Sequence, residues 1–270
     1  MKTGTVLIQD IDNCKLKHGQ LAFWWLGQLG FVVKAGNTVI YIDAYLSPGK
    51  SRNIAPMIIP EEVVNADFFF GSHDHIDHID KSIWKQLSVA SPKAKFVVPQ
   101  ILVNKLSAEI GIPKVRFIGL SDGLSAMVNG FRMTGIAAAH EFLDKDPETG
   151  LYPYLGFILE IDGRVIYHSG DTCIYEGLTT KLQAYKKIDL MFIPINGRDA
   201  KKYLNNTIGN MTYQEAVDLA GVIKPRLIVP GHYDMFNNNL ENPKLFTDYV
   251  DAKYPNQKYW VGDYGEAVII

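Results

Sequence analysis

The 270-residue sequence predicts an α/β sandwich, and three observations predict it. An aromatic and β-branched meander fills the region from Leu21 to Ser47, and short apolar runs then alternate with stretches of helical spacing. Two hairpin signals, Asn129-Gly130 and Asp162-Gly163, interrupt that alternation in mid-chain. No linker rich in proline, glycine or serine and no low-complexity segment divides the chain, so residues 1–270 are expected to form a single domain.

LAFWWLGQLGFVVKAGNTVIYIDAYLS reads as three strands, with turns at Gly27, Gly30 and Ala35-Gly36-Asn37. ADFFF is a buried strand whose run stops at Gly71, which leaves GSHDHIDHID on the loop beyond its C-terminal end. Ile79, Ile83, Trp84 and Leu87 then recur at helical spacing until Pro92 breaks the chain. KFVVP, a helical stretch from Gln100 to Ile110 and KVRFIGL continue the alternation. SAMVNGFRMTGIAAAH and LGFILEIDGRVIYHSGD are strand pairs, each turned at its own Asx-Gly dipeptide, because that pair tolerates the positive φ a two-residue hairpin demands. LTTKLQAYKK, IDLMFIPI, MTYQEAVDLAGVIKP, RLIVPGH and PKLFTDYVDAKY resume the helix and strand pattern. In the third of these, Thr212 and Glu215 make a capping box, Ala216, Leu219, Ala220 and Ile223 an apolar stripe, and Pro225 ends the helix.

With 27 Lys and Arg against 29 Asp and Glu, the net charge is −2, which excludes a basic nucleic-acid footprint and a patch for acidic membranes. A small-molecule substrate is the partner this leaves. Cys14 and Cys173 are too few for a disulfide framework or a cysteine-rich zinc site, and a reducing cytoplasm is expected. MKTGTVLIQDIDNCKLKHG lacks the apolar core of a signal peptide, and no segment approaches the roughly 20 apolar residues of a membrane span.

Ten residues, 71–80, hold three histidines and three aspartates. A neutral imidazole nitrogen beside a hard carboxylate oxygen suits Zn, Mn or Fe better than Ca or Mg. His73 and His75 can point to one side of a tight loop, while Asp77 and His78 face a second point a short way off, so one loop offers two half-sites. More donors are needed to complete them. His140 closes GIAAAH, Asp171 follows VIYHSG and His232 follows RLIVPG, each directly off the C-terminal end of an apolar strand, where α/β folds gather their chemistry.

His73-Asp74-His75-Ile76-Asp77-His78 matches the H-x-H-x-D-H signature, and His140, Gly170-Asp171-Thr172 and Gly231-His232 follow in order; from Leu21 to His232 the chain thus resembles the metallo-β-lactamase fold superfamily. The resemblance implies a four-layer αββα sandwich with a two-metal site at the edge of its sheets. It implies that His73, His75 and His140 hold one ion, that Asp77, His78 and His232 hold the other, and that Asp171 bridges them. WWLGQLGF, YIDAYLSP and NGRDAKKYLNNTIGNMT followed by PGHYDMF are similar to the L-ascorbate-6-phosphate lactonase group. This second likeness implies a lactonase acting on a phosphorylated sugar acid, with two divalent ions, Zn2+ or Mn2+, that activate a hydroxide. Asp77 would then pass a proton to the leaving alkoxide, and several subunits would assemble into a homo-oligomer.

Other residues carry a bland and a sharp reading side by side. Asp43, ending TVIYID, either caps a strand or orients a ligand histidine. Arg198, Lys201 and Lys202 either clamp a substrate phosphate or are solvated loop charges. His18 and His168 read as structural or surface residues, and Cys173 as a small buried apolar one. Trp24-Trp25 would pack the core on one face and line the site on the other. Glu141 opens the segment 141–150, a candidate lid. A phosphodiesterase or phospholipase-like hydrolase on the same two ions is the alternative chemistry, and a non-catalytic, metal-stapled binding protein the alternative class.

Overall fold

Strand β1 (Leu21–Gly27) shows why this chain forms layers: Leu21, Phe23 and Trp25 enter one apolar cluster, and Ala22, Trp24 and Leu26 another. Both faces of the strand must therefore be covered. The computed structural model describes residues 1–270. Its first sheet has the order β13-β1-β2-β3-β4-β5-β6, where β2 is Gly30–Ala35, β3 Thr38–Ile42, β4 Phe68–Phe70, β5 Lys95–Pro99, β6 Phe117–Leu120 and β13 Val268–Ile269. The second runs β12-β11-β10-β9-β8-β7, comprising β7 (Ser125–Val128), β8 (Phe131–Ala137), β9 (Leu155–Ile161), β10 (Arg164–His168), β11 (Leu190–Pro194) and β12 (Leu227–Gly231).

Aromatic rings join the two sheets. Phe31 stacks on Phe192 at 4.0 Å, Phe70 meets Phe157 edge-on at 5.1 Å, and Phe68 meets Phe131 at 5.1 Å. Helices α1 (Gly4–Asn13), α2 (Lys81–Ala90) and α3 (Val103–Ile110) cover the first sheet through Leu7, Ile11, Trp84, Leu87 and Leu106. Helices α4 (Leu178–Gln183), α6 (Tyr213–Ile223) and α7 (Pro243–Lys253) cover the second through Leu182, Ala216, Ala220, Phe246 and Val250. The layers are α, β, β, α, the sandwich expected from the sequence.

Both expected hairpins turn at residues with positive φ: 49° and 81° at Asn129-Gly130, 50° and 73° at Asp162-Gly163. The capping box of α6 is made by Thr212 and Glu215. Three elements escaped the periodicity: α1, the short α5 (Ala200–Leu204) and β13, which pairs with β1 at Ala22↔Ile269. The helix read from Ile79 starts at Lys81 instead, with Asp80 at its N-cap. Asp80 is consumed there, accepting from Ser47 N and Oγ and from Ser82 Oγ, while Ile79 packs in the loop beneath.

The topology places the site. Strands β3 to β6 are mutually parallel, as are β10 to β12, and β8 and β10 each run antiparallel to β9 and so parallel to each other. The C-terminal ends of β3, β4, β8, β10 and β12 accordingly deliver Asp43, the histidine loop, His140, Asp171 and His232 toward one edge of the sandwich. No helix is long and apolar enough to cross a membrane.

Candidate metal centre

Asp43 and Ser72 set the orientation of the histidine loop. The Ser72 amide donates to Asp43 Oδ1 at 2.8 Å, and its hydroxyl donates to Asp43 Oδ2 at 2.6 Å. That hydroxyl has spent its one proton, so its 3.0 Å contact with His73 Nδ1 requires the ring nitrogen to donate. His78 Nδ1 likewise donates to Asp43 Oδ2 at 2.7 Å. This leaves Nε2 of His73 bare, and both rings turn Nε2 toward the interior of the cluster. Asp43 thus orients two histidines through one carboxylate and one hydroxyl, at a backbone φ of 46°.

Two sets of donors result. His73 Nε2 lies 2.9 Å from His75 Nδ1, which lies 3.3 Å from His140 Nε2. On the other side His78 Nε2 is 3.5 Å from Asp77 Oδ2, and His232 Nε2 is 3.6 Å from the same oxygen. Asp171 stands between them: Oδ1 is 3.3 Å from His78 Nε2, and Oδ2 is 3.0 Å from His232 Nε2 and 3.9 Å from His140 Nε2. The triplets His73-His75-His140, His73-His78-Asp171 and Asp77-His78-His232 each present donor atoms within 4.8 Å of one another, close enough to hold a metal ion.

The surroundings suit a cation. Seven buried side-chain polar atoms lack a hydrogen-bond partner, and four of them are His78 Nε2, His140 Nδ1, Asp171 Oδ1 and His232 Nδ1. Buried polar atoms are nearly always paired, so the two that face the donor sets, His78 Nε2 and Asp171 Oδ1, mark a missing partner there, whereas His140 and His232 face the sets through Nε2. Burial pushes His73 and His75 below their ordinary values, reinforced by His78, and pushes His140 down to about 4. These three rings are neutral at pH 7, as nitrogen donors must be. Burial alone would raise Asp77 and Asp171, but His78 and His232 outweigh it and hold both carboxyls below the usual range. Burial would lower His78 and His232, yet Asp171 above all raises them, so this half of the cluster is a charge-paired network that a cation would replace.

A cavity of about 330 Å³ opens on the cluster, walled by His75, Asp77, His140, Asp171 and His232 together with Asn206, Ile208 and Asn239. The last three were not read from the sequence; only the density of asparagines in 205–210 and 237–239 hints at them. Asn239 is held by Asn196 Nδ2 at 2.8 Å, and Asn196 by Asn210 Nδ2 at 3.2 Å. Gln28 was also missed. It is 2% exposed, outside the cavity wall, and its Nε2 lies 2.7 Å from Asp77 Oδ2.

The basic trio lies apart from the cluster. Arg198 pairs with Glu215 at 2.7 Å and donates to the Asn210 carbonyl, Lys202 is buried against the Asn196 carbonyl, and Lys201 is exposed. Trp24 packs outward and donates to Asp10 Oδ2, while Trp25 lies between the sheets against Tyr233 and Tyr264; neither lines the cavity. His168 is structural, with Nε2 donating to Leu29 O and Nδ1 accepting from Gly170 N. Cys173 is buried at 6% exposure, and His18 is a surface residue beside Asp162. A larger groove of about 560 Å³ between the ends of α6 and α7 has neither histidine nor carboxylate in its walls.

Comparison with known proteins gives this edge of the sandwich its relatives. A UPF0173 metal-dependent hydrolase of Thermococcus kodakarensis is 29% identical over 91% of this chain and 94% of its own length, and one of Pyrococcus abyssi is 28% identical over 85% and 92%. Igni18, described as a novel metallo hydrolase from Ignicoccus hospitalis, superposes with a TM-score of 0.71 at 22% identity, covering 93% of this chain and 98% of that one. The family model described as a Beta-lactamase superfamily domain matches residues 38–233, a span that holds all seven candidate metal-holding residues, and the chain belongs to that superfamily with the metallo-β-lactamase fold.

Proposed function

We propose that the protein is a metal-dependent hydrolase that opens a lactone ring, with His73, His75 and His140 holding one divalent ion, Asp77, His78 and His232 a second, and Asp171 both. The observation that carries the reading is Asp171, whose Oδ2 lies 3.0 Å from His232 Nε2 in one donor set and 3.9 Å from His140 Nε2 in the other. The names of the relatives, metal-dependent hydrolases, support the general activity. A bound pair of Zn2+ or Mn2+ ions supplies Lewis acidity and lowers the pKa of water until hydroxide is available near neutral pH.

The remaining work falls to the chain's own side chains. Asp77, an anion held by Gln28, stands at the cavity wall where it accepts a proton and returns it to the departing alkoxide. Asn206 and Asn239 offer neutral amides to the hydroxyl groups of a sugar acid. A substrate phosphate would be met outside the wall, which contains neither Lys nor Arg, and Lys201 is the exposed cation on the adjoining segment.

A second reading rests on the rim. Ile76 (58% exposed), Phe142 (68%) and Ile208 (40%) project from the loops that carry or adjoin the donors, which favours an amphipathic ester and hence phospholipase-like or phosphodiesterase chemistry. The test is a panel of sugar-phosphate lactones, acyl-homoserine lactones and bis-p-nitrophenyl phosphate, assayed with Zn2+ or Mn2+ added. Ring opening is expected. Turnover of the phosphodiester alone would move the assignment to the second reading, and metal-dependent stabilisation with no turnover of any substrate would leave only a metal-stapled binding protein.

A further inference from the structure

We infer that Gln28 is a positioning residue for the second donor set: its side-chain amide holds Asp77 and His232 at the spacing an ion there requires. The inference rests on the two-ion reading above. Gln28 Nε2 lies 2.7 Å from Asp77 Oδ2 and 3.1 Å from His232 Nε2, so one amide touches two of the three residues of that set. Gln28 is 2% exposed and absent from the cavity wall, so its amide braces these residues rather than meeting substrate.

The backbone around Gln28 is built to hold it. Its φ is 55°, in the left-handed region that glycine or asparagine enters far more readily. A turn alone would not select glutamine there. Its N–H donates to Asp234 Oδ1 at 2.9 Å, and its carbonyl accepts from His232 N at 2.8 Å and from Trp25 Nε1 at 3.0 Å. His232 is itself left-handed, at 59°. The turn after β1 and the turn after β12 are thus locked to each other, and residues held in such sparsely populated conformations by several bonds cluster at functional sites. Among possible side chains, an amide is the suitable brace. It donates to the Asp77 carboxylate without adding a charge to a set that already contains Asp77 and Asp171, and unlike a lysine it does not neutralise the oxygen an ion needs.

The test is a Co2+ titration of metal-free protein, following the visible absorption band of each equivalent, on the native chain and on Gln28→Leu and Gln28→Gly. Leucine keeps the bulk and loses the amide, whereas glycine relieves the left-handed backbone and also loses the amide. For both variants the first equivalent should bind with unchanged affinity and spectrum, while the second weakens about 10- to 100-fold with an altered band, the usual cost of removing a residue that orients ligands. A merely structural role predicts that glycine, the better residue for this backbone, binds both equivalents as the native chain does, and that result overturns the inference. Should the leucine variant not fold, the glycine variant decides alone. A native chain that takes up fewer than two equivalents overturns the two-ion reading, and with it the role assigned to Gln28; native uptake of two with no change in the glycine variant overturns only the latter.

Discussion

Asp43 Oδ2 lies 2.7 Å from His78 Nδ1, and neither side chain is exposed to solvent. Three donors converge on this carboxylate: His78 Nδ1, Ser72 Oγ and Ser72 N. Removing one member of a buried, hydrogen-bonded ion pair leaves the other uncompensated, so Asp43→Ala is expected to cost about 3–5 kcal/mol. Asp43→Asn keeps the shape and tolerates φ 46°, but its NH2 must face one of the donors, for an expected loss of about 1–3 kcal/mol. Denaturant unfolding of the metal-free proteins separates the two, and an Asn variant as damaged as the Ala variant would show that charge rather than hydrogen-bond matching dominates.

Metal removal should act as the loss of a folded-state ligand. A ligand present at 1,000 times its dissociation constant stabilises by about 4 kcal/mol, and for a chain of this size that corresponds to a melting shift on the order of 10 °C. Excess chelator is expected to lower the melting temperature by about that amount, and Zn2+ or Mn2+ to restore it. In His73→Ala, which loses the Nε2 lying 2.9 Å from His75 Nδ1, the shift should shrink to a minor fraction. A chelator-insensitive native protein would contradict the assignment of these donors to ions.

How much of this was legible depends on which signals are local. The hairpins at Asn129-Gly130 and Asp162-Gly163 and the cap at Thr212 were readable because the residues that make them are neighbours in sequence. The donors His140, Asp171 and His232 could be picked out because each stands just past an apolar strand, and parallel strands bring such ends to one edge. Gln28 was not legible. Its role arises from contacts to Asp77 and His232, 49 and 204 residues away, and nothing in LGQLGF announces them. Arg198 shows the opposite failure: a cation in a polar loop invites a phosphate, but the fold spends it on Glu215 and a carbonyl. Strand β13 escaped because a two-residue edge strand carries too little pattern.

Gly170 should tolerate no side chain. Its φ is 57°, and a Cβ there would lie 2.3 Å from the Leu155 carbonyl oxygen and 2.9 Å from Ser72 Cβ. Leu155 N bonds to Ser72 O at 3.0 Å, so the clash strikes the join between β9 and the histidine loop. Gly170→Ala combines left-handed strain with overpacking, each costing roughly 1–3 kcal/mol, and a loss of about 2–5 kcal/mol is expected. Because Asp171 is the next residue, bound metal should fall as well. Denaturant unfolding and metal analysis check the two effects, and a variant within about 0.5 kcal/mol of native stability would mean that the backbone relaxes here.

The ion pair between Arg198 and Glu215, 2.7 Å apart, ties the segment that supplies Asn206 and Ile208 to helix α6. Burial alone would raise the Glu215 carboxyl, but Arg198 and the Thr212 amide outweigh it and hold it below its ordinary value. A folded-state value below the unfolded one means that the pair stabilises above the ordinary glutamate range, near pH 4.3, and that this contribution is lost as pH falls through the depressed value. Both side chains are partly exposed, at 28% and 33%, so its magnitude is only about 1 kcal/mol. Glu215→Gln should therefore lower stability by about that amount at pH 7 and by progressively less as pH falls below about 4.3 toward the depressed value. The same substitution should increase hydrogen exchange in residues 198–210 at pH 7, since α5 and its flanking turns lose their anchor to α6. A difference that persists undiminished at pH 3 would show that the ion pair with Arg198 is not what Glu215 contributes.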